Sequence, residues 1–266
     1  MPFLERDGIQ LHYEILEGLV PSDTLFLHGN LASNAWWQPA VEVWRANAKP
    51  NLKGRIILAE WRGCGKSSGP GLEKDLAPEV LSTDANALLH SLKIQKARLV
   101  GHSTGGLIGL VAMSQNPGLY ERAVLLDPVS HKGIQFPPEM FAAFTQMSQD
   151  RAFCELVMMG TIYQAQVSEE LKEQLVSDAF GVHPLVWHGV PKALNVTDVT
   201  NELPKVKQPV LVLHGEFDSV LPKNLSQELA NLLPNGRFYE IPGRGHSTNV
   251  EDPALFVKLT NEFLYG

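Results

Sequence analysis

Hydrophobic and polar side chains alternate near the start of this 266-residue chain. From Ile9 to Ile15 every second residue is apolar, which is typical of a half-buried antiparallel strand. A shorter run at 3–5 precedes it, and Asp7-Gly8 between the two is a turn sequence. The pattern therefore predicts a hairpin over residues 1–16.

Further along, short apolar runs without alternation replace this pattern, as in strands that are buried on both faces. We predict such strands at 25–27, 55–59, 97–101, 123–126 and 210–214, and a further strand at 237–241. Helical patterns lie between them, at 35–46, 78–92, 104–115 and 222–233, and a last helix opens with Asp252-Pro253. Strands that alternate with helices predict a mostly parallel sheet covered by helices on both faces.

The alternation of strand and helix stops between residues 128 and 204. This segment has no convincing buried strand and reads as amphipathic helices at about 138–148, 150–159 and 168–180, with a loose segment beyond. We therefore expect an α/β core made of residues 1–127 and 205–266, with an inserted helical cap at 128–204.

Composition and charge narrow the classes of function. The formal net charge is −7 and no basic stripe is visible, so a nucleic-acid partner is not expected. The two cysteines, Cys64 and Cys154, give no disulfide framework, and the first residues do not read as a secretory signal. With no apolar run long enough to span a membrane, we expect a cytoplasmic protein.

Two kinds of cofactor site are also not expected. Gly65-Lys66-Ser67 resembles the end of a phosphate-binding loop, but that pattern requires glycine at the position of Glu60. His131, His183 and His188 lack the spacing of a metal cluster. We predict neither a metal nor another cofactor.

The predicted strands are followed by polar residues with the chemistry of acyl transfer. Ser103 lies after the strand at 97–101, Asp218 after 210–214, His246 after 237–241 and Asn30 after 25–27. Functional groups in parallel sheets gather beyond the carboxyl ends of the strands. We therefore expect these residues to meet at one edge of the sheet.

The surroundings of Ser103 favour a nucleophile. Gly101, Ser103 and Gly105 form the pattern G-x-S-x-G between a strand and a helix, a sharp turn that exposes the serine hydroxyl. A side chain at either glycine would collide where the strand and helix backbones approach each other. The first backbone N–H of the helix, at Thr104, would point at the group that Ser103 attacks.

In this order, Ser then Asp then His, the chain resembles the α/β-hydrolase family, specifically its compact members with a helical cap. Five local motifs carry the resemblance: H-G-N at 28–30, R-G-x-G-x-S at 62–67, G-H-S-x-G-G at 101–106, G-x-x-D-x-x-x-P at 215–222 and G-H-x-x-x-x-E at 245–251. One position departs from the family: many members carry Asp where this chain has Glu60, a position that we interpret as structural.

The resemblance implies roles for these residues. Ser103 would attack a carbonyl carbon, His246 would take and return the proton, and Asp218 would orient His246. The backbone N–H groups of Asn30 and Thr104 would form the oxyanion hole. Glu216 and Asp127 are rivals for the acid; Asp127 is expected at a cap hinge or a helix cap, and His28 as a structural hydrogen-bonding residue.

The large apolar side chains of the cap and of the segment after residue 30 suggest a small, largely apolar substrate. Most of them are expected to pack the cap and the core, while some line the pocket. The expected pocket residues are Trp36, Trp37, Phe141, Phe144, Met158 and Trp187. The function predicted first is the hydrolysis of a carboxylic ester or lactone.

Three alternatives stay open on this fold. The same three residues could cleave a carbon–carbon bond next to a carbonyl, as in meta-cleavage-product hydrolases, or support a cofactor-free perhydrolase (haloperoxidase) reaction. A ligand-binding receptor without turnover is the alternative outside enzymes. Haloalkane dehalogenases and epoxide hydrolases, which H-G-N at 28–30 also resembles, use an aspartate nucleophile, and position 103 is serine.

Overall fold

The computed structural model describes residues 2–266, and its centre is an eight-stranded sheet with the strand order β1-β2-β4-β3-β5-β6-β7-β8. β2 pairs in antiparallel fashion with β1 and β4, and all other neighbours are parallel. The strands are β1 (Phe3–Arg6), β2 (Ile9–Val20), β3 (Thr24–Leu27), β4 (Gly54–Ala59), β5 (Ala97–His102), β6 (Tyr120–Leu126), β7 (Val210–Gly215) and β8 (Gly236–Ile241).

Helices cover both faces of the sheet and fill the segment between β6 and β7. They are α1 (Gln38–Ala46), α2 (Pro78–Ser91), α3 (Thr104–Gln115), α4 (Pro138–Gln149), α5 (Arg151–Gly160), α6 (Glu169–Phe180), α7 (Val186–Val196), α8 (Lys223–Leu232), α9 (Thr248–Glu251) and α10 (Pro253–Tyr265). Short 3₁₀ helices lie at Asn34–Trp37, Glu73–Leu76, Pro117–Leu119 and Thr200–Lys205. No helix within residues 2–266 combines the length and the apolar character needed to cross a membrane.

The central strands are apolar throughout because successive side chains enter two different cores. Leu25 and Leu99 belong to the core on one face of the sheet, whereas their neighbours Phe26 and Val100 belong to the core on the other. Side chains along a strand point alternately to opposite faces, so a sheet covered on both faces needs apolar residues at every position. The predicted α/β architecture is confirmed.

The register aligns the ends of the parallel strands. Leu27 in β3 lies opposite Gly101 in β5, His102 lies opposite Leu126 in β6, and Leu126 lies opposite Leu213 in β7. The loops after these strands therefore leave the sheet at one edge, which is where ligands bind in open α/β sheets.

Four helices, α4 to α7, occupy the segment that was predicted as a cap. Three of them agree with the predicted helices, and α7 replaces the predicted loose segment. It contains Gly189 and Pro191, residue types that disfavour a helix interior, so the sequence pattern gave no helix there. The division of the chain into a core and a cap stays a prediction.

Two polar contacts tie the end of α6 and the connection from α6 to α7 to the rest of the chain. Ser33 Oγ donates to Asp178 Oδ2 over 2.5 Å, and the His183 N–H donates to the Gly63 carbonyl over 2.8 Å. These bonds join that part of the segment to the loops after β3 and β4.

Candidate active site

Ser103 occupies a strained turn between β5 and α3. Its backbone has φ 54° and ψ −122°, and residues other than glycine rarely adopt such a positive φ. A Cβ at Gly105 would collide with the carbonyl oxygens of Leu27 and His28, and one at Gly101 would press on the backbone of α3. The two glycines are therefore required by the close approach of strand and helix.

Backbone hydrogen bonds hold Ser103 in this conformation. Its N–H donates to the Leu126 carbonyl over 2.9 Å, and its own carbonyl accepts from the N–H groups of Gly106 (2.9 Å) and Val129 (3.0 Å). The side chain is only partly buried. The predicted nucleophile is thus fixed by its backbone while its hydroxyl stays open to an incoming molecule.

His246 and Asp218 form a close pair. The His246 Nδ1–H donates to Asp218 Oδ2 over 2.8 Å, and the second oxygen of Asp218 accepts from the N–H groups of Val220 (2.7 Å) and Leu221 (3.0 Å). Burial alone would raise the pKa of Asp218, but the bonds from His246 and the two backbone groups bring it below the ordinary value. With Nδ1 donating, the other ring nitrogen of His246 can accept a proton.

His102, next to Ser103, connects the serine turn to the histidine loop. Its Nε2–H donates to the His246 carbonyl over 2.9 Å, and the two rings lie 4.9 Å apart. Burial lowers the pKa of His102 to about 3, so this ring is neutral. No direct hydrogen bond joins Ser103 to His246 within residues 2–266, and such contacts often tighten only when substrate binds.

Glu251 organises the loop that carries His246. Its carboxylate accepts from the N–H groups of Gly245 (2.6 Å) and Ser247 (3.0 Å), on either side of the histidine, and from the Tyr163 N–H (3.0 Å). The glutamate of the motif G-H-x-x-x-x-E therefore positions the histidine backbone and binds the segment between α5 and α6.

The predicted oxyanion donors lie beside Ser103. A Cβ at Gly29 would lie 3.1 Å from the Ser103 Cβ, so the backbone that leads into Asn30 passes close to the serine. Thr104 is the first residue of α3, and N–H groups in a first helical turn have no partner within the helix. The Asn30 Oδ1 atom is buried and has no hydrogen-bond partner among residues 2–266.

Asp127 lies beside Asp218 at the end of the neighbouring strand. It follows β6 with φ 42° and is fully buried, and its Oδ1 accepts from the Gly215 N–H over 2.8 Å. The polar atoms of Asp127, His214 and Asp218 lie within 4.8 Å of one another. Asp127 therefore accepts from the N–H at the end of β7 rather than from a helix N-terminus, and it lies beside Asp218. Its place at a cap hinge stays a prediction; its position after the strand beside β7 was the available signal for the contact with Asp218.

These three side chains are also the group among residues 2–266 whose spacing could accommodate a cation. The oxygens of Asp218 already accept hydrogen bonds from His246, Val220 and Leu221. Asp218 is therefore already engaged by hydrogen bonds, and the absence of a metal remains a prediction.

Glu60 and His28 make contacts that hold the local structure. The Glu60 carboxylate accepts from the N–H groups of Asn34 (3.1 Å) and Lys66 (2.7 Å) and bonds to His12 (2.8 Å), and so shapes the turn at 60–67. His28 is stacked on Trp61, with the ring centroids 5.2 Å apart. Both side chains are buried.

The two tryptophans predicted for the pocket lie on opposite faces of the sheet. Trp37 is completely buried and packs against Phe26 (5.2 Å) and Phe256 (6.1 Å). It is therefore a core residue, and its ring lies 6.3 Å from that of His102; its part in lining a pocket stays a prediction. Trp36 belongs to the core on the other face, and its ring lies 6.3 Å from that of His102.

Three of the four other predicted pocket residues, Phe144, Met158 and Trp187, are buried, and Phe141 is half-buried and stacked on His188. Phe141 and Phe144 form an aromatic cluster with Phe136, with ring centroids 5.5–6.4 Å apart. Met158 and Trp187 are buried in the core that also contains Leu25 and Leu99 from one face of the sheet. Their part in lining a substrate pocket stays a prediction.

The sequence is similar to that of a known protein family and of named relatives. A family model described as alpha/beta hydrolase fold matches residues 25–253. The "Putative carbamate hydrolase RutD" of Agrobacterium fabrum is 27% identical over 265 residues, which cover 96% of this chain and 98% of that protein.

Two solved structures are similar over nearly the whole chain. An esterase from Exiguobacterium antarcticum has a TM-score of 0.85 at 18% identity and covers 98% of this chain and 97% of its own. The enol-lactonase from Burkholderia xenovorans has a TM-score of 0.84 at 22% identity and covers 100% of both chains. At these identities the structural likeness concerns the fold.

Proposed function

The chain belongs to the alpha/beta hydrolase fold family, and we propose that it is a serine hydrolase that cleaves a carboxylic ester or lactone of a small, largely apolar substrate. The reaction would pass through an acyl-enzyme on Ser103, with His246 as the base and Asp218 as the group that orients it. The residues at 128–204 would cover the site as a lid.

One observation supports this proposal above the others. A serine in a strained turn and a histidine paired with a buried carboxylate follow strands whose carboxyl ends share one edge of the sheet. These are the parts that nucleophilic acyl transfer needs. The strain at Ser103 supports a functional role because a left-handed backbone is costly at an ordinary serine.

The chemistry then follows from the proton positions. As Ser103 Oγ attacks the carbonyl carbon, its proton moves to Nε2 of His246, and Asp218 stabilises the resulting imidazolium. The oxyanion would accept from the N–H groups of Asn30 and Thr104, where the loss of one donor typically costs about 10²–10³ in turnover. His246 would return the proton to the leaving oxygen as its bond to the carbonyl carbon breaks. In the second half, His246 would take a proton from water as the water oxygen attacks the acyl carbon, and would give it to Ser103 Oγ as the ester bond to Ser103 breaks, which releases the acid.

The substrate class rests on the apolar surroundings and on the relatives. The cap contributes aromatic and methionine side chains, and Phe141 and Phe144 belong to an aromatic cluster. Relatives over the whole chain length are named as a carbamate hydrolase, an esterase and an enol-lactonase. A carbamate is a second candidate substrate because serine attack on its carbonyl carbon is the same reaction.

Steady-state hydrolysis of a substrate panel tests the proposal. The panel contains aryl esters of increasing acyl length, aromatic esters, five- and six-membered lactones and simple carbamates. We expect turnover of apolar esters or lactones by the wild type and by Ser130→Ala, a buried serine after β6 that serves as the control. Ser103→Ala should fold and lack turnover; equal activity in that variant, or no turnover of any panel member by the wild type, would overturn the proposal.

A further inference from the structure

Two buried carboxyl groups end neighbouring strands at the proposed site. Asp127 follows β6 and Asp218 follows β7, and neither side chain is accessible to solvent. Their polar atoms lie within 4.8 Å of each other and of His214. Two carboxylates this close cannot both keep their charge at low cost in a buried site, since each like charge disfavours the other.

The two carboxyl groups have unequal hydrogen-bond partners. Asp218 accepts from His246 and from two backbone N–H groups, a set of donors that stabilises a negative charge. Asp127 accepts from the Gly215 N–H through Oδ1, and its Oδ2 is buried without a hydrogen-bond partner in residues 2–266. The negative charge is therefore better placed on Asp218, and Oδ2 of Asp127 is the atom left for a proton.

The remaining groups around Asp127 do not supply a compensating charge. His214 Nδ1 lies 3.3 Å from Asp127 Oδ1 and 3.0 Å from Ser226 Oγ, and burial lowers the pKa of this histidine, which keeps it neutral. The other charged neighbour, Glu251, is negative as well. Burial, with the charges of Asp218 and Glu251 added to it, raises the pKa of Asp127 well above its ordinary value.

We propose that Asp127 is a positioning residue for Asp218: it holds a proton, presents it towards Asp218, and so keeps the negative charge of the pair on the carboxylate that binds His246. The role in catalysis rests on the proposed function. The protonation of Asp127 does not, because it can be measured on the folded protein without turnover.

Asparagine at position 127 reproduces the proposed neutral side chain. Its Oδ1 can accept from the Gly215 N–H, and its Nδ2 can donate towards Asp218. Alanine removes both functions and leaves the buried Gly215 N–H without its partner. Asp127→Asn therefore keeps a neutral hydrogen-bonding group without a carboxyl group, and Asp127→Ala keeps neither. Comparing the two shows which of these groups the site needs.

Infrared difference spectroscopy at neutral pH tests the protonation directly. Wild type minus Asp127→Asn should show the loss of a protonated-carboxyl carbonyl band. Asp84→Asn is the control, because Asp84 is buried in a two-point ion pair with Arg62 (2.6 and 2.9 Å) and should lose a carboxylate band. A carboxylate band lost from Asp127→Asn would overturn the proposal.

The pH dependence of unfolding gives a second readout. If folded Asp127 keeps its proton while the unfolded chain has released it, the wild type loses stability as pH rises. Between about pH 5 and 7, the unfolding equilibrium constant of the wild type should rise about tenfold per pH unit relative to that of Asp127→Asn. A ratio that does not change with pH would contradict a protonated Asp127.

Kinetics then tests the positioning role. Asp127→Asn should keep kcat near that of the wild type and the same acid limb of kcat/KM, since no charge near His246 has changed. Asp127→Ala should lower kcat by about 10- to 100-fold with a smaller effect on KM. An acid limb displaced to lower pH in Asp127→Asn would mean that Asp127 carries a charge; the infrared result stands even if the wild type shows no turnover.

Discussion

The buried histidine His28 should make the fold sensitive to acid. It follows β3 directly, its Nδ1–H donates to the Gly29 carbonyl over 2.8 Å, and its ring is stacked on Trp61. The other ring nitrogen, Nε2, is buried without a hydrogen-bond partner within residues 2–266. Burial lowers the pKa of His28 to about 4, because a charged imidazole would lose its hydration there.

The sign of the effect follows from proton binding. Between an unfolded pKa of about 6.5 and the folded value, the unfolded chain binds a proton that the folded chain does not, so stability falls as pH falls. At about 1.36 kcal/mol per pKa unit, acidification from about pH 7.5 to 4.5 costs about 2.5 kcal/mol at this one side chain.

The assay compares the free energy of unfolding of the wild type and His28→Asn by urea denaturation at the two pH values. Asparagine keeps a donor near the Gly29 carbonyl and does not titrate. The stability difference should move by about 2.5 kcal/mol in favour of the variant on acidification, whereas His90→Asn on an exposed site of α2 serves as the control. A difference for His28→Asn that stays constant with pH would show that burial does not lower the pKa of His28.

Three further outcomes are expected. Asp218→Asn should lower kcat by about 10⁴ while the protein still folds, because His246 loses the carboxylate that sets its tautomer; near wild-type kcat in steady-state assays would exclude this role. Gly105→Ala should lower the melting temperature strongly, since its Cβ meets the carbonyls of Leu27 and His28; an unchanged melting curve would contradict the close approach. Glu60→Gln should cost about 1–3 kcal/mol in denaturation experiments, because an amide offers one acceptor oxygen where two are used; no loss would show that the turn is held otherwise.

The architecture was readable from the sequence because local patterns and the sheet agree. The alternation at 9–15 predicted a strand, and the apolar runs at 97–101 and 210–214 predicted strands that are covered on both faces. Burial along β2 does not alternate as the sequence does, because His12 is buried against Glu60. The chain order of these runs, with glycines at the serine turn, also placed Ser103 at a strand end. These features are predictable because the burial of a strand and the backbone geometry of a tight turn restrict residues that are close together in the sequence.

Other features depend on contacts distant in sequence. Trp36 and Trp37 are adjacent and equally apolar, yet the 3₁₀ helix at Asn34–Trp37 sends their rings into opposite cores. Asp127 and Asp218 come together only because β6 and β7 are neighbours in the sheet. A single sequence without its pairing order could not assign either fact, nor the proline-containing helix α7.

Labelling by a fluorophosphonate probe, read by intact mass, reports directly on the proposed nucleophile, because this probe reacts with an activated serine. We expect one adduct on the wild type and on Ser130→Ala, and none on Ser103→Ala. An adduct that persists on Ser103→Ala, or no adduct on the wild type, would contradict the claim that Ser103 is an activated nucleophile.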